Sequence, residues 1–160
     1  MANPVANLKR FKSNAQGIRE FAILIEQSEP RARQMIIESA EKEDPRFLAK
    51  ALRKVVYFEE LIYIEETILA EILAKVSPKL LAFAQVGMPP EFCERLKKQL
   101  GFRELKLMKD EQEIMKPPTE GFILGARAQI LKAARGLEAQ NKFIFELTDC
   151  PRFKQRRAAG

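Results

Sequence analysis

Apolar positions recur at helical spacing along most of the chain, and the recurrence breaks at prolines, glycines and short polar runs. From Gly17 to Gln27, the residues Ile18, Phe21, Ala22 and Ile25 fall on one stripe. A second helix is predicted after Pro30, with Met35, Ile36 and Ile37 on its inner side. A third starts at Asp44-Pro45, where aspartate suits the N-cap and proline the first helical position. It carries Phe47, Leu48, Ala51, Leu52 and Val55 inward and runs into an apolar stretch, Val55-Val56-Tyr57-Phe58, followed by Glu59-Glu60. The pattern then restarts. Leu69, Ile72, Leu73 and Val76 share a face, and Ser77-Pro78 stops that helix and caps the next. Leu80, Leu81, Phe83 and Ala84 follow, with Gly87 placed for a C-terminal cap. Pro89-Pro90 opens a helix with Phe92, Cys93, Leu96 and Leu100 inward, closed by Gly101. Another is predicted from Arg103 to Met115, with Leu105, Met108 and Ile114 inward. After the loop Lys116-Pro117-Pro118, a long helix runs from about Ile123 to Gln140 on Ile130, Leu131, Ala134 and Leu137. Phe143-Ile144-Phe145 reads as a short extended tail. The sum is an all-α fold.

The organisation predicted from these breaks has four parts. Residues 1–14 form a flexible arm, 15–58 a three-helix unit ending in the apolar joint, 59–147 a second helical domain, and 148–160 a basic tail. A chain of 160 residues, 46% hydrophobic and 31% charged, is long enough for two small helical bodies and is not disordered in composition. The net charge of +6 is mixed along the helices. It concentrates only at Lys9, Arg10 and Lys12 and at Arg152, Lys154, Arg156 and Arg157, read as solubilising ends. No continuous basic helix or aromatic nucleic-acid motif accompanies the charge, so nucleic acid is not the expected partner.

Catalysis finds little support. The chain has no histidine, no nucleophile elbow, no phosphate-binding glycine loop and no metal-ligand spacing. No catalytic residue, cofactor, metal or small-molecule substrate is therefore expected. Cys93 and Cys150 stand alone, which fits a reducing compartment. The start, Met1-Ala2-Asn3-Pro4, lacks the apolar core of a secretory signal, and the apolar runs are too short to cross a bilayer. A cytoplasmic, non-membrane-spanning protein is expected.

The order of these motifs resembles the C-terminal half of the flagellar motor switch family FliG. Gly17-Ile18-Arg19 lies where that family has Gly-Gly-Val-Lys, and Val55-Val56-Tyr57-Phe58 where it has Met-Phe-X-Phe. Phe58-Glu59-Glu60 stands for Phe-Glu-Asp, and Glu65-Glu66 for the Asp-Asp pair. Leu81-Ala82-Phe83-Ala84 with Gly87, then Gln99-Leu100-Gly101-Phe102-Arg103, then Ala128-Gln129-Ile130 continue the match in order. The family's amino-terminal domain and its middle unit, with a Glu-His-Pro-Gln motif, have no counterpart. A natural short paralogue and a piece of a longer protein both fit.

The resemblance implies an armadillo-like three-helix unit followed by a six-helix-type, stator-facing domain. It implies a non-enzymatic motor role at the cytoplasmic face of the flagellar basal body. Partners would be the stator's cytoplasmic loop, a full-length FliG or other switch proteins, or a second copy. It assigns Glu65, Glu66, Glu71 and Lys75 to a charge ridge that meets the stator. Val55, Val56, Tyr57 and Phe58 become a hinge, and Phe21, Ile25, Met35 and Ile36 a stacking surface. The family's basic ridge positions fall here on Thr67, Glu71 and Ala74, so the ridge reads as acidic with little compensating positive charge. Glu65 and Glu66 also suit the first turn of a helix, where its dipole favours acids, and both readings stand. The β-branched valines imply a stiffer joint than Met-Phe. Two other functions are compatible with the sequence: a FliG-derived scaffold outside the motor and, as the weaker one, a basic nucleic-acid binder.

Overall fold

The computed structural model describes residues 8–160, which are helices and connecting turns, with no strand among the described residues. Clustering of backbone contacts divides the chain into two compact units, one ending at Val56 and one beginning at Tyr57.

The first unit holds four helices among its described residues: α1 (Leu8–Lys12), α2 (Gly17–Gln27), α3 (Pro30–Glu43) and α4 (Pro45–Leu52). Three were expected. The fourth, α1, occupies what the sequence reads as a flexible arm, whose residues 1–7 lie outside the described residues. Leu8 is buried with Phe21, Ile25, Ile36, Phe47 and Leu48 in one core, and Phe11 packs on its edge. The Phe11, Phe21 and Phe47 rings form a row with centroid spacings of 5.1 and 5.6 Å. Full burial of such a side chain is worth about 1.5–3 kcal/mol, enough to hold a five-residue helix that has little stability of its own. Polar bonds fix the same approach. Lys12 of α1 pairs with Asp44 Oδ2 at 2.6 Å, while Asp44 Oδ1 accepts the Phe47 N–H at 3.0 Å and so caps α4. Gly17 begins α2 where the backbone of α1 crosses: a Cβ there would overlap the Phe11 carbonyl.

The second unit comprises a 3₁₀ helix (Phe58–Tyr63), α5 (Glu66–Ala74), α6 (Pro78–Ala84), α7 (Pro90–Lys98), α8 (Phe102–Ile114), α9 (Glu120–Ala139), a 3₁₀ turn (Phe145–Leu147) and α10 (Pro151–Ala159). α9 is central and packs against α5, α6 and the first 3₁₀ helix, and α8 lies along α6. Leu61, Leu69, Ile72, Leu81, Leu96, Met108 and Ile130 form the interior. Two of the starts were legible: Ser77 Oγ caps α6 through the Leu80 N–H at 3.2 Å, and prolines open α6 and α7, as Pro151 opens the unexpected α10. Gly87 takes φ of 79° after α6, the left-handed turn expected there. α9 ends in a Schellman turn with Asn141 at φ 61°, Lys142 N–H reaching Leu137 O at 3.1 Å and Asn141 N–H reaching Glu138 O at 3.0 Å.

Four sequence expectations need correction. Met35, Leu52 and Ile114 face out, at 51, 36 and 77% exposure, because α3, α4 and α8 bury a narrower stripe than their apolar residues define. Phe143-Ile144-Phe145 leads into a 3₁₀ turn and is not extended throughout. Residues 148–160 are no free tail: α10 buries Phe153 and follows a buried Cys150. Tyr57 and Phe58 belong with the second unit, where the Phe58 ring lies 5.0 Å from that of Phe92.

Replacing Gly17 by alanine should lower the stability of the first unit by roughly 2–4 kcal/mol, because backbone must move to admit the methyl group. Urea denaturation followed by circular dichroism would show the midpoint fall, with the slope preserved if unfolding stays two-state.

Candidate functional site

The apolar joint is built differently on its two sides. Val55 and Val56 are buried in the first unit. There the Val56 N–H donates to Glu26 Oε1 at 2.7 Å, and Glu26 is 2% exposed. Arg33, half-buried, donates to the Ile25 and Glu26 carbonyls at 3.0 and 2.9 Å and closes the end of α2. In the second unit the Tyr57 N–H donates to Glu60 Oε1 at 2.8 Å, which stabilises the start of the 3₁₀ helix. Phe58 is buried and Tyr57 is half exposed.

Glu60 is the centre of a larger cluster. Arg152 of α10 grips it with both arms of its guanidinium, Nε to Oε2 at 2.9 Å and Nη2 to Oε1 at 2.7 Å. The Cys150 thiol donates to Oε2 at 2.9 Å. Arg152 also lies over the rings of Tyr57 and Phe153, at 5.1 and 4.6 Å. Burial acts most strongly on the Glu60 carboxyl and raises its pKa. The Arg152 fork, the Cys150 thiol and the Tyr57 N–H together outweigh burial, so the carboxyl ends below its ordinary value of 4.5. Burial, then the neighbouring carboxylate, push the Cys150 thiol up, which keeps it a protonated donor. Sequence reasoning missed this cluster: its members are about ninety residues apart, and only the acidic residues beside the joint hinted at one end.

A third glutamate repeats the device. Glu138, buried in α9, pairs with buried Arg135 at 2.9 Å and accepts the Phe145 N–H on Oε2 at 2.9 Å. Arg135 stacks over the Phe145 ring at 4.8 Å.

The charge-ridge residues are all exposed, but they do not form one stripe. Glu65 stands at the N-cap of α5 and takes the Thr67 hydroxyl at 2.7 Å, offering α5 no side-chain cap. Glu66 pairs with Arg95 of α7 at 3.2 Å. Arg95 also donates to the Ile62 carbonyl at 2.8 Å and the Ile64 carbonyl at 3.4 Å. A cation from another helix thus stands beside the acidic pair, which corrects the expectation of little compensating charge. Glu71 lies about 140° around the helix from Glu66, at 100° per residue, with Lys75 one turn further on Glu71's side. The stacking residues also divide. Phe21, Ile25 and Ile36 are core of their own unit, and of the four only Met35 reaches solvent; Leu24 and Leu52 of the same unit are exposed as well.

Glu60→Ala should cost about 3 kcal/mol, the low end for breaking a buried ion pair, since Arg152 keeps some exposure. With its pKa lowered on folding, Glu60 contributes full stability above about pH 4.5 and loses it as pH falls through the lower native value. Thermal melts from pH 7 to 3 should show the gap between wild type and Glu60→Ala closing in that acidic window.

Comparison with known proteins bears on the same segment. Over 132 residues the chain is 22% identical to the flagellar motor switch protein FliG of Borreliella burgdorferi, covering 82% of this chain and 38% of that protein. It is 24% identical over 137 residues to FliG of Thermotoga maritima, covering 86% of this chain and 41% of that one. The chain therefore spans about two fifths of the length of these relatives. Its fold is similar to that of full-length FliG from Aquifex aeolicus, with a TM-score of 0.53, 22% identity and coverage of 83% of this chain and 44% of that chain. The sequence model of the FliG C-terminal domain matches residues 38–145, from within α3 through the joint to Phe145. That match covers well over half of the residues, and the chain belongs to the FliG C-terminal domain family.

Proposed function

We propose that this chain acts as the stator-facing part of a flagellar motor switch protein, through protein contacts and without catalysis. The observation that carries this reading is the exposed acidic pair Glu65-Glu66 at the start of α5, in a chain of this family. The pair faces solvent and makes exposed bonds only, to Thr67 and Arg95. Contacts of that kind are individually weak, about 0.2–1 kcal/mol each, which suits a surface that must engage and release at every step. Glu71 and Lys75 offer a second charge patch along the same helix. The partner favoured is a basic or mixed-charge surface such as the cytoplasmic loop of the stator. No helix among the described residues is long and apolar enough to cross a membrane, compatible with a rotor part at the cytoplasmic face of the basal body.

The hinge assigned to Val55, Val56, Tyr57 and Phe58 narrows under this reading. Val56 N–H is held by Glu26 and Tyr57 N–H by Glu60, so the torsions between the two anchored amides are those of Val56 alone. Reorientation on switching would concentrate there. For the stacking surface the reading favours Met35 with Leu24 and Leu52 as the exposed apolar contacts to another subunit.

The basic C-terminus supports this reading over nucleic-acid binding. Arg152 is engaged by Glu60, Lys154 by Asp149 at 3.3 Å, and Arg157 by the Glu146 and Thr148 carbonyls. Non-catalytic action is supported by a chain without histidine and by buried glutamates occupied with backbone N–H groups.

The double reversal Glu65→Lys with Glu66→Lys should weaken binding to the purified stator loop about tenfold or more at low salt, because two weak attractions are lost and two lysines are added that repel a basic partner. The difference should shrink toward 1 M salt, where the Debye length falls to about 3 Å. Unchanged affinity in both conditions would assign the pair to the helix terminus and remove the ridge reading. Normal swimming after deletion of the gene would point to a role outside the motor.

A further inference from the structure

Beside Glu65 the second unit carries a depression of about 520 Å³ that the charge ridge does not explain. Its walls are Tyr63, Ile68, Phe143, Ile144 and Leu147, with Glu65 and Asp149 on its rim. Three of the wall residues are large apolar side chains turned to solvent: Leu147 at 65%, Ile144 at 48% and Tyr63 at 37% exposure. Residues 146–149 lie beyond the end of the family match, so part of the wall belongs to a segment outside that match.

This wall is held firmly. The Glu138 bond to the Phe145 N–H and the Thr148 hydroxyl bond to the Phe145 carbonyl, at 2.9 and 2.7 Å, fix the 3₁₀ turn that presents Leu147. Arg157 of α10 satisfies the Glu146 and Thr148 carbonyls from outside. Apolar side chains held exposed by so many polar bonds are pre-organised to receive a partner, because little ordering entropy remains to be lost on binding.

The rim selects the partner's charge. Arg95, the cation in the lining, is committed to Glu66 and to the Ile62 and Ile64 carbonyls. Asp149 pairs with an exposed Lys154. Glu65 has its Thr67 hydroxyl bond and no basic partner among the described residues. A cation approaching the depression therefore meets Glu65, which has no ion-pair partner of its own among the described residues, with Asp149 beside it, whereas an anion meets two carboxylates.

We infer that this depression docks a protein partner through an apolar side chain with a lysine or arginine beside it. The inference rests on the reading of Glu65 as a docking residue and adds an apolar anchor to it. Charge would set the encounter and its salt dependence, and the anchor the residence time.

The test uses the full chain and a fluorescein-labelled cytoplasmic loop of a flagellar stator, read by anisotropy over a salt series. Ile144→Ser with Leu147→Ser should weaken binding about tenfold and leave the salt dependence unchanged. Glu65→Lys should weaken binding and flatten the salt dependence. Wild-type affinity in the serine pair, together with loss in Glu65→Lys, would overturn the anchor and leave the ridge reading standing. Absence of binding by the wild-type chain would overturn both. Should the serine pair fail to fold, Leu147→Gln at its exposed position gives the same reading without adding charge, with a weaker affinity and an unchanged salt dependence expected.

Discussion

A carboxylate removed from water must be compensated, and this chain meets the requirement with its own backbone. Glu26, Glu60 and Glu138 are buried, and each accepts the N–H of a residue where the chain leaves or enters a helical segment. Buried backbone donors outside regular structure need partners as much as buried charges do. One bond therefore removes two penalties. Where an arginine joins, as at Glu60 and Glu138, the charge is compensated as well. The complementary task, closing exposed carbonyl ends, falls to arginine forks. Arg33 closes α2, Arg95 closes the first 3₁₀ helix, and Arg127 closes α6 through the Ala84 and Val86 carbonyls at 2.9 and 2.7 Å. The turns of both units depend on this division of labour.

What the sequence made legible follows from the range of the interactions. Asp44, Ser77 and the helix-opening prolines act within three residues of themselves, so their roles could be read locally. The inward stripes were legible because periodicity is local too, although Met35 and Ile114 show that an apolar residue near a stripe is not thereby buried. The arginine beside the acidic pair was not legible. Arg95 is 29 residues from Glu66 and sits in a helix whose own pattern is ordinary. Nor was α10, which has one buried apolar residue, Phe153, and is tied down by Arg152. The family resemblance reached the ridge and the joint, while the match ends at Phe145, before that helix begins.

The exposed acidic pair and the scaffold beneath it meet at Arg95. Arg95 closes the 3₁₀ helix with two of its nitrogens and meets Glu66 with the third. The same side chain therefore sets the electrostatics of the exposed pair and holds the segment on which Tyr63 stands. A guanidinium divided between carbonyls and carboxylate gives an exposed ion pair a stiff support.

The clamps also bear on which substitutions the chain tolerates. At Glu60 the family pattern has aspartate, one methylene shorter. The extra carbon gives this carboxylate about 1.5 Å more reach, the length of one carbon–carbon bond. From that distance it takes the Tyr57 N–H, the Cys150 thiol and the Arg152 fork together. Aspartate and glutamate count as interchangeable in most comparisons of sequence, yet at Glu26, Glu60 and Glu138 the exchange shortens a strut. Substitution should therefore be as constrained at these three buried carboxylates, for the bonds they make inside the chain, as at any acidic residue on the surface.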